Sequence, residues 1–134
     1  MRTQRFGHPF RVERQVHGYA VVLHVAGEVD AMTAGELEEE LTIGLALATP
    51  PAPVVVDLTE VGFFAAAGLN ELHRGHLAAR EAGVPLRVVA VHRHVLRPFE
   101  VSGLDQELAP CPTLAEALVV HTPRGVRRYA LPGR

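Results

Sequence analysis

Pro50, Pro51 and Pro53 open directly onto Val54-Val55-Val56-Asp57-Leu58, and this junction constrains the fold more than any other part of the chain. Proline cannot continue a helix, so a helix arriving from upstream ends there. A strand that is apolar on consecutive residues has no face to give to solvent, which is the pattern of a parallel strand covered on both sides. Parallel neighbours need long crossovers, usually helical. The strand-helix-strand order downstream implies one, and a helix also precedes the strand. Upstream, Thr33-Ala34-Gly35-Glu36 has capping-box spacing, and Leu37, Leu41 and Leu45 recur on one helical face. Glu38, Glu39 and Glu40 near that helix start read as a solvated face favoured by the helix dipole. Downstream, a second helix is expected from about Ala66 to Ala82, stopped by Gly83, before Pro85 to Val91 returns as a strand.

The remaining segments complete an α/β pattern. Val12 to Val16 and Tyr19 to Val25 flank a His17-Gly18 break and read as a hairpin. A third helix is expected over roughly Arg93 to Val101, kinked or started late by Pro98, and Ser102-Gly103-Leu104 turns the chain. Thr113-Leu114-Ala115-Glu116 repeats the capping-box spacing and predicts a last helix through Leu118 to Val120. The expected fold is a small mixed β-sheet flanked by about four helices. One domain over 10–121 is expected, followed by a basic, flexible tail over 122–134 carrying Arg124, Arg127, Arg128 and Arg134. A sharper alternative makes that tail an arm for an acidic partner.

Composition then removes several functions. The 13 basic residues, every one an arginine, face 15 acidic ones for a net charge of −2, which argues against nucleic acid as the main partner. Without lysine there is no Schiff-base chemistry and no Walker phosphate site. One cysteine, Cys111, excludes a disulfide framework and multi-cysteine zinc sites, and suits a reducing compartment. No secretory signal is expected in Met1 to Pro9 and no stretch is apolar enough for membrane insertion, so a cytoplasmic protein is expected.

Three segments, in order and spacing, resemble the STAS domain of bacterial anti-sigma-factor antagonists. Ala26-Gly27-Glu28-Val29-Asp30 with Thr33 resembles the family's "GELD" turn between second strand and first helix. Val54 to Leu69 is similar to the central strand and the loop ending in "DSSGL" or "DSTGL". His92 to Leu104 resembles the third helix and its "SGL" exit. Together they span most of Val12 to Val120. The resemblance implies a STAS fold and a non-enzymatic module that binds an anti-sigma factor, in some members a serine kinase, and so releases a sigma factor.

The chain departs from the family at its control point. In the regulated members the residue after the Asp of "DSSG" is the phosphorylated serine, and the sequence here is Ala65-Ala66-Ala67-Gly68, with Ala66 at that position. A methyl group accepts no phosphoryl, so this switch cannot operate there. Carried over by position, the expected contact face is Asp30, Thr33, Thr59, Ala66, Ala67, Gly68, Asn70 and Arg74. Asp30 and Arg74 are expected as charged contacts, and the alanines as a close-packing patch. An anion at the same helix start is the weaker alternative, since no lysine or glycine-rich loop accompanies it.

Other constellations carry less. His73 and His76 share a stripe with Leu69 and Leu72 and are expected at the core boundary with a backbone partner rather than on a metal. Cys111 between Pro110 and Pro112 reads as an ordinary loop thiol, and Asp57 as structural. A metal- or thiol-dependent hydrolase on His73, His76 and Cys111 is the enzyme alternative. A STAS scaffold or sensor subunit of a transport or signalling assembly is the other. No catalytic residue, metal or cofactor is expected, and a homodimer is left open.

Overall fold

The apolar run at 54–58 lies inside an eleven-residue strand. In the computed structural model, which describes residues 9–122 and 124–129, the elements are β1 (Arg11–His17), β2 (Ala20–Val29), α1 (Ala34–Leu47), β3 (Val54–Phe64), α2 (Ala66–Ala82), β4 (Leu86–Val89) and α3 (Arg93–Ser102). A 3-10 turn (Leu104–Gln106), α4 (Leu114–Ala117), β5 (Val119–Thr122) and β6 (Gly125–Arg128) follow. Strands β1 to β4 form one sheet in that order, with β1 antiparallel to β2 and β2, β3 and β4 mutually parallel. The sheet is therefore mixed, four α-helices flank it, and α1 and α2 are the crossovers that the consecutive valines require.

Alternation along the strands divides the core into two layers. Val21, Leu23, Val54, Val56, Leu58 and Val88 face α1, α2 and α3, meeting Leu37, Leu41, Leu72, Val95 and Phe99. Ala20, Val22, Val55 and Val89 face the other way, onto Cys111, Ala117 and Leu118. Both faces of β3 are thus covered near its start.

The chain after α3 departs from expectation. The last helix stops at Ala117 instead of continuing to Val120, and the β-branched Val119-Val120 enters β5, which pairs antiparallel with β6 as a separate two-stranded sheet. The Tyr129 N–H donates to Leu118 O at 3.0 Å, and Tyr129 packs on the second core layer. Residues 1–8, 123 and 130–134, and with them the expectations for the N-terminus and the end of the tail, lie outside the described residues. Cys111 is not an ordinary loop thiol. It is buried, bridges Val89 in parallel at the free edge of β4, and its Sγ accepts from Arg87 Nη2 at 3.2 Å.

Candidate functional site

The carboxyl ends of β2 and β3 lie side by side, because Val29 pairs with Phe64 and the Ala65 N–H donates to Val29 O at 2.9 Å. That pairing brings the turn entering α1 against the start of α2. Gly27 and Glu28 remain within β2, beside an irregularity in register, so the expected turn begins only at Asp30. Asp30 Oδ1 accepts from the Met32 and Thr33 N–H groups at 2.9 and 3.1 Å. Thr33 is the N-cap residue of α1, but the expected capping box does not form. Its hydroxyl accepts from the Asp30 N–H at 2.9 Å and donates to Glu28 O at 3.0 Å, holding the turn rather than the helix. Asp30 has already bound the Thr33 N–H, and the threonine turns back to it.

The start of α2 is built from small residues. Ala65 is the extended N-cap and offers no side-chain bond; Ala66 is exposed and Ala67 half-buried. Gly68 lies beneath these alanines. It is buried, and a Cβ there would collide with Val29 and lie 3.0 Å from the Phe64 ring. Glycine at 68 is what lets α2 sit directly on β2 and β3. Asn70 is exposed beside Ser102 and Gly103, and Arg74 is exposed one turn further with Nη2 on Glu71 Oε2 at 2.8 Å.

Thr59 does not join this cluster. It precedes Phe64 by five residues, roughly 16 Å of strand, and its N–H and hydroxyl both donate to Asp57 Oδ1, at 3.0 and 2.8 Å. Asp57 Oδ2 lies 3.0 Å from His24 Nδ1, and His24 Nε2 lies 2.8 Å from Gln15 Oε1, so Thr59 ends a polar chain across the sheet. Two exposed apolar residues absent from the expected face lie in these segments. Met32 is 89% exposed in the Asp30 turn, and Phe63, two residues before Ala65, is 51% exposed. Phe64 beside it points inward and stacks on Phe99 at 5.8 Å. The Phe63-Phe64 doublet was the available signal: on a strand one of two neighbours faces out.

His73 and His76 meet a side chain, not the expected backbone. Each Nε2 lies 3.6 Å from Oε1 of Glu107, the residue after the 3-10 turn. Burial pushes the His76 imidazole below its ordinary pKa of 6.5; Glu107 opposes that shift, while Arg80 and His73 add to it. Among the described residues no group of three His, Cys, Asp or Glu is arranged to hold a metal ion.

Comparison with known proteins decides what this arrangement belongs to. A family model described as "Mlab, STAS domain" matches residues 12–120. The chain belongs to the STAS-domain family of anti-sigma-factor antagonists. Within that family it is 32% identical over 104 residues to the anti-sigma-F factor antagonist RsfA of Mycobacterium tuberculosis, covering 78% of this chain and 81% of that protein. It is 35% identical over 102 residues to RsfB of the same organism, covering 76% of this chain and 81% of RsfB. The crystal structure of an anti-sigma factor antagonist from Mycobacterium paratuberculosis superposes with a TM-score of 0.75 at 30% identity, over 82% of this chain and 92% of that one. Unphosphorylated SpoIIAA shares the fold, with a TM-score of 0.60 at 19% identity over 81% of this chain and 92% of that one. STAS proteins of this family are non-catalytic regulators, and this chain is one of them.

Proposed function

We propose that this STAS domain binds an anti-sigma factor and thereby frees a sigma factor, without control by phosphorylation at the family's usual position. The observation that carries the reading is chemical: from Phe63 to Asn70 no residue bears a hydroxyl, although Ala66 stands exposed at the start of α2. Phosphate added there would place about two negative charges against the partner, and the alanine run removes the acceptor. The contact face of the proposal is Met32 and Asp30 from one turn, Phe63, Ala66 and Ala67 from the other, and Asn70 and Arg74 along α2. Buried Gly68 shapes it from beneath and Thr59 lies outside it. We place its action in the cytoplasm, in keeping with a single reduced cysteine; among the described residues no helix is long and apolar enough to cross a membrane.

The test is reconstitution with the cognate kinase-type anti-sigma factor, with and without ATP. The expected outcome is a stable complex indifferent to ATP, whereas Ala66→Ser takes up phosphate and its complex dissociates. Phosphorylation of the parent chain with loss of the complex overturns the unswitched reading. Capture of a transporter ATPase in place of an anti-sigma factor from native lysate overturns the partner and favours the scaffold alternative.

A further inference from the structure

Strand β1 is an edge of the four-stranded sheet, and it lacks the devices that usually close an edge. It carries neither proline nor lysine, and it pairs with β2 without a bulge from Arg11↔Ala26 to His17↔Ala20. The hairpin turn is two residues, Gly18-Tyr19, with φ 61° at Gly18. The closing pair of such a hairpin exchanges both its hydrogen bonds, and alternation then turns the N–H and C=O groups of Arg11, Glu13, Gln15 and His17 toward β2. Those of Val12, Arg14 and Val16 point off the sheet, with no partner among the described residues.

The surface beside this edge is apolar. Arg14 Nε donates to Glu40 Oε1 at 3.0 Å, and the Thr49 N–H donates to Tyr19 O at 3.0 Å, so the second half of α1 runs along the second half of β1. Glu38, Thr42 and Leu45 line the groove toward α2. Ile43 and Leu47 stand on the other side of the helix, with Glu40, and overlook the Val16 end of β1. Val16 is 54% exposed, Leu47 44% and Ile43 36%.

We infer that β1 is the interface of a homodimer, in which two copies pair antiparallel about a two-fold axis at Arg14 and join their sheets into one. Val12 of each copy then lies opposite Val16 of the other, and the unpartnered backbone groups of Val12, Arg14 and Val16 satisfy one another. Val12 packs on the first core layer, so the pairing extends that layer over Val16. Charge selects both the occupant and the register. With the axis at Arg14, Glu13 faces Gln15, and the two arginines that face each other each bring their own Glu40, leaving two cations and two anions around the axis. An axis at Glu13 sets two carboxylates directly opposite, and an axis at Gln15 loses the outer pair to the turn. An isologous contact needs an edge that is its own complement, and β1 is one. The start of α2 is no part of this edge, so the inference does not rest on the anti-sigma reading.

The experiment is sedimentation equilibrium of the full chain from micromolar to millimolar concentration, with amide hydrogen exchange across the same range. The mass is expected to rise from monomer to dimer, and protection of the Val12, Arg14 and Val16 amides to appear with it, while Glu13 and Gln15 are protected throughout by β2. Val16→Lys, at an exposed position, is expected to weaken the dimer by about tenfold or more. Arg14→Glu, which gathers four carboxylates at the axis, is expected to weaken it by about fivefold or more, and Arg14→Glu with Glu40→Arg to restore it. A monomer at every concentration, or a dimer whose Val12, Arg14 and Val16 amides exchange as in the monomer, overturns the inference. So does protection there that is independent of concentration, which shows the chain covering its own edge, and so does association unchanged by Val16→Lys. A charge-swapped double variant as weak as Arg14→Glu overturns the axis at Arg14.

Discussion

Ala66 and Gly68 are both small, two residues apart at the start of α2, and their smallness answers to different demands. A methyl added at 68 meets Val29 and Phe64 from buried backbone, so Gly68→Ala is expected to lose about 1–3 kcal/mol, read as a lower denaturant midpoint. Ala66→Ser adds an atom to an exposed site and is expected to shift stability by no more than about 0.5 kcal/mol. A midpoint loss in Ala66→Ser as large as in Gly68→Ala would place both under the sheet contact. The sequence showed a run of small residues there but not which of them is buried, since burial is set by how closely α2 approaches β2 and β3. Met32 was illegible for the converse reason. A large apolar residue normally reads as core, and only the Asp30 turn sends it outward. Met32→Ala is accordingly expected to leave the denaturant midpoint unchanged while weakening anti-sigma factor binding by about tenfold or more, as loss of an interface anchor does.

Two helices open on the same spacing and are capped differently. Thr113 Oγ1 accepts from the Glu116 N–H at 3.2 Å as the pattern predicts, whereas Thr33 does not reach Glu36. The difference lies in Asp30, which binds the Thr33 N–H and draws the threonine hydroxyl back to the Glu28–Asp30 turn. Asp30 therefore combines a structural role with its proposed contact role, and the two separate by substitution. Asp30→Ala removes the oxygen that accepts two N–H groups and is expected to lose about 1 kcal/mol. Asp30→Asn keeps an oxygen and is expected to lose little, so weaker anti-sigma factor binding by Asp30→Asn at unchanged stability reports the charge alone. Equal binding by Asp30→Asn and the parent denies Asp30 a charged contact. Element limits were legible where local chemistry enforces them: α2 runs from Ala66 to Ala82 because Gly83 adopts φ 75° and closes it. They were illegible after α4, where Leu118 to Val120 carries both helical and strand character and pairing with β6 decides.

The whole molecule follows from the doubly covered strand, and that central strand with the helical crossover after it was legible from Val54 to Leu58 and its downstream flank. What covers the second face was not, because Cys111, Leu118 and Tyr129 come from distant short segments with no periodicity of their own. Burial also lowers the pKa of two histidines that no local pattern marks as acid-sensitive. Both His17 ring nitrogens are buried with no hydrogen-bond partner among the described residues, and its pKa is lowered from 6.5, first by burial and then by His24. His76 is lowered as well, also mainly by burial. Each imidazole binds fewer protons in the folded chain than in the unfolded chain between 6.5 and its lowered value, so stability rises with pH across that window. Their neutral forms therefore stabilise the fold in full above 6.5, and that contribution falls as acid charges the unfolded chain first. Unfolding free energy, measured by denaturant at intervals from about pH 7.5 to 5.5, is expected to decline toward acid. In His17→Leu, which puts an apolar side chain where two polar atoms lack partners, the decline is expected to be shallower, with the midpoint at pH 6 raised relative to the parent. A parent curve that is flat or rises toward acid, or a slope unchanged by His17→Leu, would show that the buried imidazole at 17 does not set the pH dependence.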